Sequence, residues 1–296
     1  MQVFLTGATG YIGRAVVEAL QKAGHEVSGL ARSQEKAKQL EARGVRACIG
    51  DLLNPETVVE PARAADGVIH TANTNDGNAA HADAAVVRAI LKALEGTGKR
   101  FIYTSGVWVL GSTGNKVADE NTPVNPTALV AHRPGLEQEV LGYKDRGIRT
   151  VVIRPGIVYG RGGGGLPTML VQSARQSGAA RYVGDGDNRW SLVNVDDLAQ
   201  LYVLALEKAA PGSLYNATSG PFSRVRELAE AASVGAGAKG KTQAWPLDEA
   251  RKTLGPFADA LALDQQVSGE KAKRDLGWSP ASPSACDDLR NGSYVE

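Results

Sequence analysis

The amino-acid sequence predicts a doubly wound α/β fold, a parallel sheet with helices on both faces. Three observations predict it. Short aliphatic runs alternate with helical stretches at roughly twenty-residue intervals through the first half of the chain. Those runs are continuously apolar rather than alternating, as strands covered on both faces require. A glycine triplet, Gly7, Gly10 and Gly13, sits directly between the first strand and the first helix. Strands that alternate with helices must be joined by crossovers, and crossovers make neighbouring strands parallel.

Val3 to Leu5 is the first strand, and Arg14 to Ala23 the first helix, closed by Gly24, a residue suited to the left-handed cap. Glu26 to Leu30 is the second strand. Gln34 to Arg43 is a helix with Ser33 as its N-cap and Gly44 behind it. Val45 to Ile49 is the third strand. Asn54 followed by Pro55 is an N-cap with proline at the first helical position, where its missing N–H costs nothing. Val68 to Thr71 is the fourth strand, Ala79 to Leu94 a long alanine-rich helix, and Arg100 to Thr104 the fifth strand. A helix near Gly135 to Arg146 precedes a sixth strand, Thr150 to Arg154. After Pro155 the rhythm breaks. Arg161 and glycines 162–165 form a loop, Pro167 to Ser177 and Val195 to Glu207 read as helices, and Leu214 to Ala217 as a seventh strand. The expected division is residues 1–160 for the larger unit, with 181–217 returning to the sheet. Residues 161–180 and 218–296 form a smaller, interleaved, mostly helical region that faces the substrate.

The chain has 296 residues, enough to bury a core without metal or disulfide staples. Thirty-three basic and 32 acidic side chains leave a net charge of +1, so no global basic field draws it to nucleic acid or an anionic membrane. Cys48 and Cys286 are too few for a disulfide framework or a four-cysteine zinc site. The four histidines lack metal-ligand spacing, and no metal is expected. No apolar run reaches the ~18 residues of a membrane span. Met1 to Leu5 leads into the glycine loop without a basic head or cleavage site. A soluble, cytoplasmic protein is expected.

Thr6-Gly7-Ala8-Thr9-Gly10-Tyr11-Ile12-Gly13 carries the functional information. Gly7 lets the chain turn tightly, Gly10 lets backbone approach a pyrophosphate, and Gly13 lets the helix pack closely. The helix N-terminus then offers free N–H groups and the positive end of its dipole to the anion. This predicts a dinucleotide site.

The G-x-x-G-x-x-G spacing resembles the extended and atypical branches of the short-chain dehydrogenase/reductase superfamily, a Rossmann fold. Further blocks follow in that family's order over about residues 1–217. Gly50-Asp51-Leu52 resembles its adenine-contacting segment, and Ile69-His70-Thr71-Ala72 its fourth-strand end, where backbone flanks the cofactor. Arg154-Pro155-Gly156-Ile157-Val158-Tyr159-Gly160 resembles its nicotinamide-side loop, and Asn194-Val195-Asp196-Asp197 the start of a characteristic helix. The resemblance is to the NAD-dependent epimerase/dehydratase group. It implies a cofactor site made of Gly7, Thr9, Gly10, Tyr11, Ile12, Gly13, Arg32, Asp51, Leu52, Ala72, Thr104, Arg133, Pro155 and Val158. It also implies a homodimer packed through the helices of Ala79–Leu94 and Gly135–Arg146, an isolated chain being the alternative. At the end of the second strand Ala31 stands where NAD-using members carry an acid, and Arg32 and Lys36 follow. That favours NADP(H), because an arginine there pairs with the 2′-phosphate, an arginine solvated on a surface loop being the plain alternative.

The family's catalytic residues are a serine or threonine after the fifth strand and a Tyr-x-x-x-Lys. Here Gly106 aligns with the hydroxyl slot, Thr104 and Ser105 fall just before it, Leu129 takes the tyrosine slot and Arg133 the lysine slot. Leucine cannot move a proton. His132 has the pKa class for acid–base work near neutrality, and Tyr159 ends the nicotinamide-side loop. A loop histidine and a packing tyrosine are the plain alternatives. The expected catalytic set is His132, Tyr159, Ser105 and Arg133. Trp108 and Trp190 either wall an apolar pocket or pack in the core. Asn194 caps a helix, and Asp287-Asp288 is a solvated pair in a polar tail. The expected function is an NADP(H)-dependent oxidoreductase acting on a small carbonyl or hydroxyl substrate. The rivals are a nucleotide-sugar epimerase/dehydratase and a non-catalytic NADP sensor acting through a partner.

Overall fold

The structure is a computed structural model that describes residues 1–295. The first half winds through β1 (Gln2–Thr6), α1 (Tyr11–Lys22), β2 (Glu26–Ala31), α2 (Gln34–Glu41), β3 (Arg46–Ile49), α3 (Val59–Ala64), β4 (Gly67–His70), α4 (Ala79–Leu94), β5 (Arg100–Thr104), α5 (Arg133–Gly142) and β6 (Arg149–Pro155). There follow β7 (Ile157–Tyr159), α6 (Gly165–Ser177), β8 (Ala180–Val183), β9 (Arg189–Trp190), β10 (Leu192–Asn194), α7 (Val195–Lys208) and β11 (Ser213–Ala217). The last stretch carries β12 (Ser223–Arg224), α8 (Val225–Gly235), β13 (Thr242–Trp245), α9 (Leu247–Leu254), α10 (Pro256–Leu261), α11 (Glu270–Leu276) and α12 (Ala285–Asn291).

Seven parallel strands form the central sheet in the order β11-β6-β5-β4-β1-β2-β3. The strand order reverses between β1 and β4, and ligands of such sheets bind in the crevice at that switch point. Burial on both faces explains the continuous apolar runs. Val3 and Leu5 of β1 pack with Val16, Leu20 and Leu198 on the face covered by α1 and α7. Phe4 packs with Val86, Ile90 and Leu136 on the face covered by α4 and α5. A second core joins α6, α8, α10 and α12 to β7 and β8. Within 181–217, β11 joins the central sheet beside β6, while β8 pairs with β13 and β10 pairs with β7.

The local signals act largely as their chemistry dictates. Ser33 accepts from the Lys36 N–H, Asn194 from the Asp196 N–H, and Gly24 and Gly44 take φ of +80° and +70°. Asn54 differs, since its side chain caps nothing. Thr57 Oγ1 donates to the Asn54 carbonyl at 2.7 Å, and Pro55–Val58 winds as a 3-10 turn ahead of α3. The helix expected near Gly135 begins at Arg133, with Pro134 in its first turn, and its end tightens into a 3-10 turn at Tyr143–Arg146. The polar tail is also different. Asp288 is buried and accepts from the backbone N–H and hydroxyl of Ser293, and Leu289 and Tyr294 pack into the second core. Trp190 is core, donating its indole N–H to the Leu261 carbonyl. Among the described residues no helix is long and apolar enough to cross a membrane, and no group of three or more His, Cys, Asp or Glu side chains could hold a metal ion.

Candidate active site

A cleft of about 600 Å³ runs along the C-terminal ends of the sheet strands. Gly7, Thr9, Gly10, Tyr11, Ile12 and Gly13 line its middle, Arg32, Lys36, Asp51 and Leu52 one end, and Ala72, Thr104, Ser105, Arg133, Pro155 and Val158 the other side. Every residue expected to hold the cofactor is therefore on one surface.

The glycine loop owes its shape to contact as well as conformation. Gly7 has φ +79°, and a Cβ there would lie 2.7 Å from Thr71 Oγ1. At Gly13 a Cβ would lie 2.0 Å from the Gly7 carbonyl oxygen, so α1 rests on the loop that precedes it. The N-terminus of α1 has no side-chain cap and no acidic residue in its first turn. Its N–H groups and dipole are left for an anion from the cleft. With Arg32 and Lys36 further along, the residues present fit a dinucleotide.

Tyr11 reaches across and donates to the Gly160 carbonyl at 2.8 Å. Tyr294 accepts from the Gly160 N–H at 2.8 Å and donates to the Gly163 carbonyl. Ser293 accepts from Gly162. The last described residues thus hold the glycine run that brings Gly164 and Gly165 to the cleft wall.

At the other end Thr104 Oγ1 and the fully buried Tyr202 hydroxyl share a hydrogen bond of 2.6 Å. Ser105 is buried and its hydroxyl has no partner. Arg133 Nη1 donates to the Ser105 carbonyl at 2.9 Å, while Arg133 Nε is buried without a partner. A Cβ at Gly106 would sit 3.1 Å from that Nη1. A side chain at position 106 would therefore crowd the Arg133 guanidinium.

Two expected catalytic residues are elsewhere. Tyr159 is buried in the second core, donates to the Pro283 carbonyl at 2.6 Å and does not line the cleft; burial and the Asp197 charge push its hydroxyl well above the ordinary tyrosine range. The backbone of β7 runs along the cleft at Ile157 and Val158, but Tyr159, on the same strand face as Ile157, lies further along and packs into the second core. His132 stands at the N-cap of α5, behind the cleft wall. Its Nε2 is buried without a hydrogen-bond partner, 3.8 Å from Asp83 Oδ2. Burial and the Arg133 charge hold its imidazole below the ordinary range, against the opposing pull of Asp83. Leu129 lies on a 3-10 turn, 41% exposed and away from the cleft lining.

Asp83 is the residue the sequence reading missed. It lines the cleft from α4 and accepts from His70 Nε2 at 3.0 Å and from the Tyr103 hydroxyl at 2.7 Å, while His70 Nδ1 meets Thr6 Oγ1 at 2.7 Å. Burial pushes its carboxyl up, yet the hydrogen bonds from His70 and Tyr103 and the Arg133 charge bring it below the usual carboxylate range. A signal existed: Asp83 is the sole acid of α4 and shares a stripe with Val87, Ile90 and Leu94. A carboxylate on an apolar stripe needs partners.

Comparison with known proteins agrees with this geometry. The NAD dependent epimerase/dehydratase family matches residues 3–218. An uncharacterized protein of Schizosaccharomyces pombe is 36% identical over 99% of this chain and 100% of its own. A 2-alkyl-3-oxoalkanoate reductase of Stenotrophomonas maltophilia is 30% identical over 95% of each chain. The UDP-glucose 4-epimerase of Thermus thermophilus, solved with NAD, superposes with a TM-score of 0.81 at 22% identity, covering 98% of this chain and 99% of that one. The match takes in the central sheet's strand order and all of the cleft lining except Phe257, and the chain belongs to this family: an NAD(P)-dependent oxidoreductase or epimerase/dehydratase of the extended short-chain dehydrogenase/reductase type, with a nicotinamide dinucleotide as its cofactor.

Proposed function

We propose that the protein is an NADP(H)-preferring oxidoreductase that interconverts a small carbonyl compound and its alcohol. The observation that carries this reading is the partnerless Ser105 hydroxyl in the cleft wall, beside the Arg133 guanidinium. A bound nicotinamide supplies or accepts the hydride. Ser105 donates a hydrogen bond to the reacting oxygen, and the Arg133 charge favours the negative charge that develops there. A guanidinium does not exchange protons near neutrality, so the proton comes from water in the open cleft while Ser105 holds the reacting oxygen. Arg32 and Lys36, following Ala31 at the end of β2, support NADP(H). The reductase among the relatives supports carbonyl chemistry. The family match also keeps nucleotide-sugar epimerisation or dehydration as the second reading. A homodimer through α4 and α5 fits their shared outward face, where Arg88 bridges to Glu139 at 3.0 Å; light scattering that returned the mass of one chain would reject it.

The test is NADPH-dependent reduction of a carbonyl panel, followed by nicotinamide absorbance, with NADH in parallel. Ser105→Ala is expected to lower kcat by about 10²-fold or more. Loss of the Arg32 contact in Arg32→Ala is expected to weaken NADPH binding roughly ten- to a hundredfold, with NADH little changed. Equal wild-type affinity for the two cofactors, or full kcat in Ser105→Ala, would overturn the proposal.

A further inference from the structure

The end of the cleft beyond Ser105 is walled by apolar side chains from three separated parts of the chain. Val107 and Trp108 come from the 3-10 turn after β5, Leu166 from α6, and Phe257 from α10. Trp108 and Phe257 meet edge to face, with ring centroids 6.1 Å apart and planes at 69°. Both rings are only half-buried, whereas Phe4, Phe101, Trp190 and Trp278 are buried. A half-buried aromatic pair facing a cavity leaves ring surface for a ligand, and such pairs hold further rings in stacked or edge-to-face arrangements.

The same wall is packed against the segment of Leu129. The turn Ala128–Val130, which carries Leu129, packs against α10. The α10 helix enters through Gly255, at φ +54°, and Pro256, which pre-sets its first turn. Phe257 therefore reaches the cleft from a helix seated on the segment that lacks the catalytic hydroxyl. Charge adds a second constraint. The cationic side chains on the cleft lining are Arg32 and Lys36 at the adenosine end and Arg133, whose Nη1 donates to the Ser105 carbonyl. Among the described residues, the cleft lining carries no cationic side chain on the wall of Trp108 and Phe257 to pair with a diphosphate, and burying an unpaired phosphate is costly.

We propose that this end of the cleft is a substrate pocket for a flat, apolar, phosphate-free carbonyl compound, an aryl ketone or aryl aldehyde, gripped between Trp108 and Phe257 with its carbonyl oxygen toward Ser105. The inference rests on the reductase reading and adds the substrate class. Reduction forms a C–H bond from the cofactor hydride and an O–H bond from a proton, breaks the carbonyl π bond, and leaves the cofactor oxidised.

The test uses full-length protein loaded with NADP+, and acetophenone, glyceraldehyde and UDP-glucose as probes. Binding is followed by calorimetry and by quenching of tryptophan fluorescence, and turnover by NADPH consumption. Acetophenone is expected to bind more tightly than either polar probe. Phe257→Ala is expected to weaken its binding and raise its KM about tenfold, with NADPH affinity retained. Phe257→Leu, which keeps apolar volume on α10 but removes the ring, guards against misfolding and should show the same direction. UDP-glucose binding as tightly as acetophenone, or acetophenone binding unaltered in both variants, overturns the pocket. Turnover of glyceraldehyde in preference to acetophenone also overturns it while the reductase reading stands. Ring-dependent acetophenone binding without any NADPH consumption overturns the reductase reading instead and leaves the pocket in place.

Discussion

Alanine at two glycines should have opposite effects, although the chemical change is the same. At Gly13 the new Cβ would sit 2.0 Å from the Gly7 oxygen and 2.7 Å from its carbonyl carbon. Ordinary contact needs more than 3 Å to that oxygen, so α1 and the loop must separate by about 1 Å. Overpacking of this kind costs roughly 1–3 kcal/mol. The displaced groups are the N–H donors offered to the pyrophosphate. Loss of one such charge-assisted hydrogen bond costs about 1.5–3 kcal/mol, or roughly ten- to a hundredfold in affinity. At Gly135, in the first turns of α5, an added Cβ meets nothing within 4 Å. Alanine there should stabilise the helix by about 0.5–1 kcal/mol. The assay is calorimetric titration with NADPH, beside denaturant unfolding of wild type and both variants. If Gly13→Ala kept NADPH affinity within about twofold and an unchanged unfolding midpoint, the close-packing argument would be refuted.

Tyr159→Phe should lose the hydrogen bond to the Pro283 carbonyl and about 0.5–1.5 kcal/mol of stability while keeping kcat; a large kcat loss would return Tyr159 to the chemistry. Glu137 and Arg154 form a buried pair with contacts of 2.5–3.2 Å, so Glu137→Gln should destabilise by roughly 3–5 kcal/mol in denaturant titration. An unaltered midpoint would deny that pair its weight. His132, faced by Asp83 and Arg133, has its pKa held down in the folded state. Its contribution to stability is present above the unfolded value near 6.5 and is lost as pH falls through the folded value. Acidifying from about pH 7.5 to 5.5 should therefore lower the unfolding midpoint, and His132→Gln should flatten that slope. An identical slope in the variant would exclude His132 as its source.

The sheet, its helices and the cofactor surface were legible in the sequence because they rest on local signals. Strand runs such as Phe101–Tyr103 announce burial on both faces, and Gly7, Gly10 and Gly13 announce a loop pressed against its helix and the next strand. That Leu129 carries no group able to move a proton was equally a matter of residue identity. Tertiary structure alone decided which side chains face the cleft there. Tyr159 and Ile157 lie two residues apart on β7, and packing against Pro283 and the second core took the tyrosine away from the cleft. Asp83 became a cleft residue only when β4 and β5 brought His70 and Tyr103 to it, 13 and 20 residues away. Trp108 and Phe257, nearly 150 residues apart, form one wall because α10 folds back over the turn at Leu129. A backbone conformation or a burial pattern is written into neighbouring residues. Which side chains converge on one cavity depends on contacts between distant segments, and no local pattern encodes those distances.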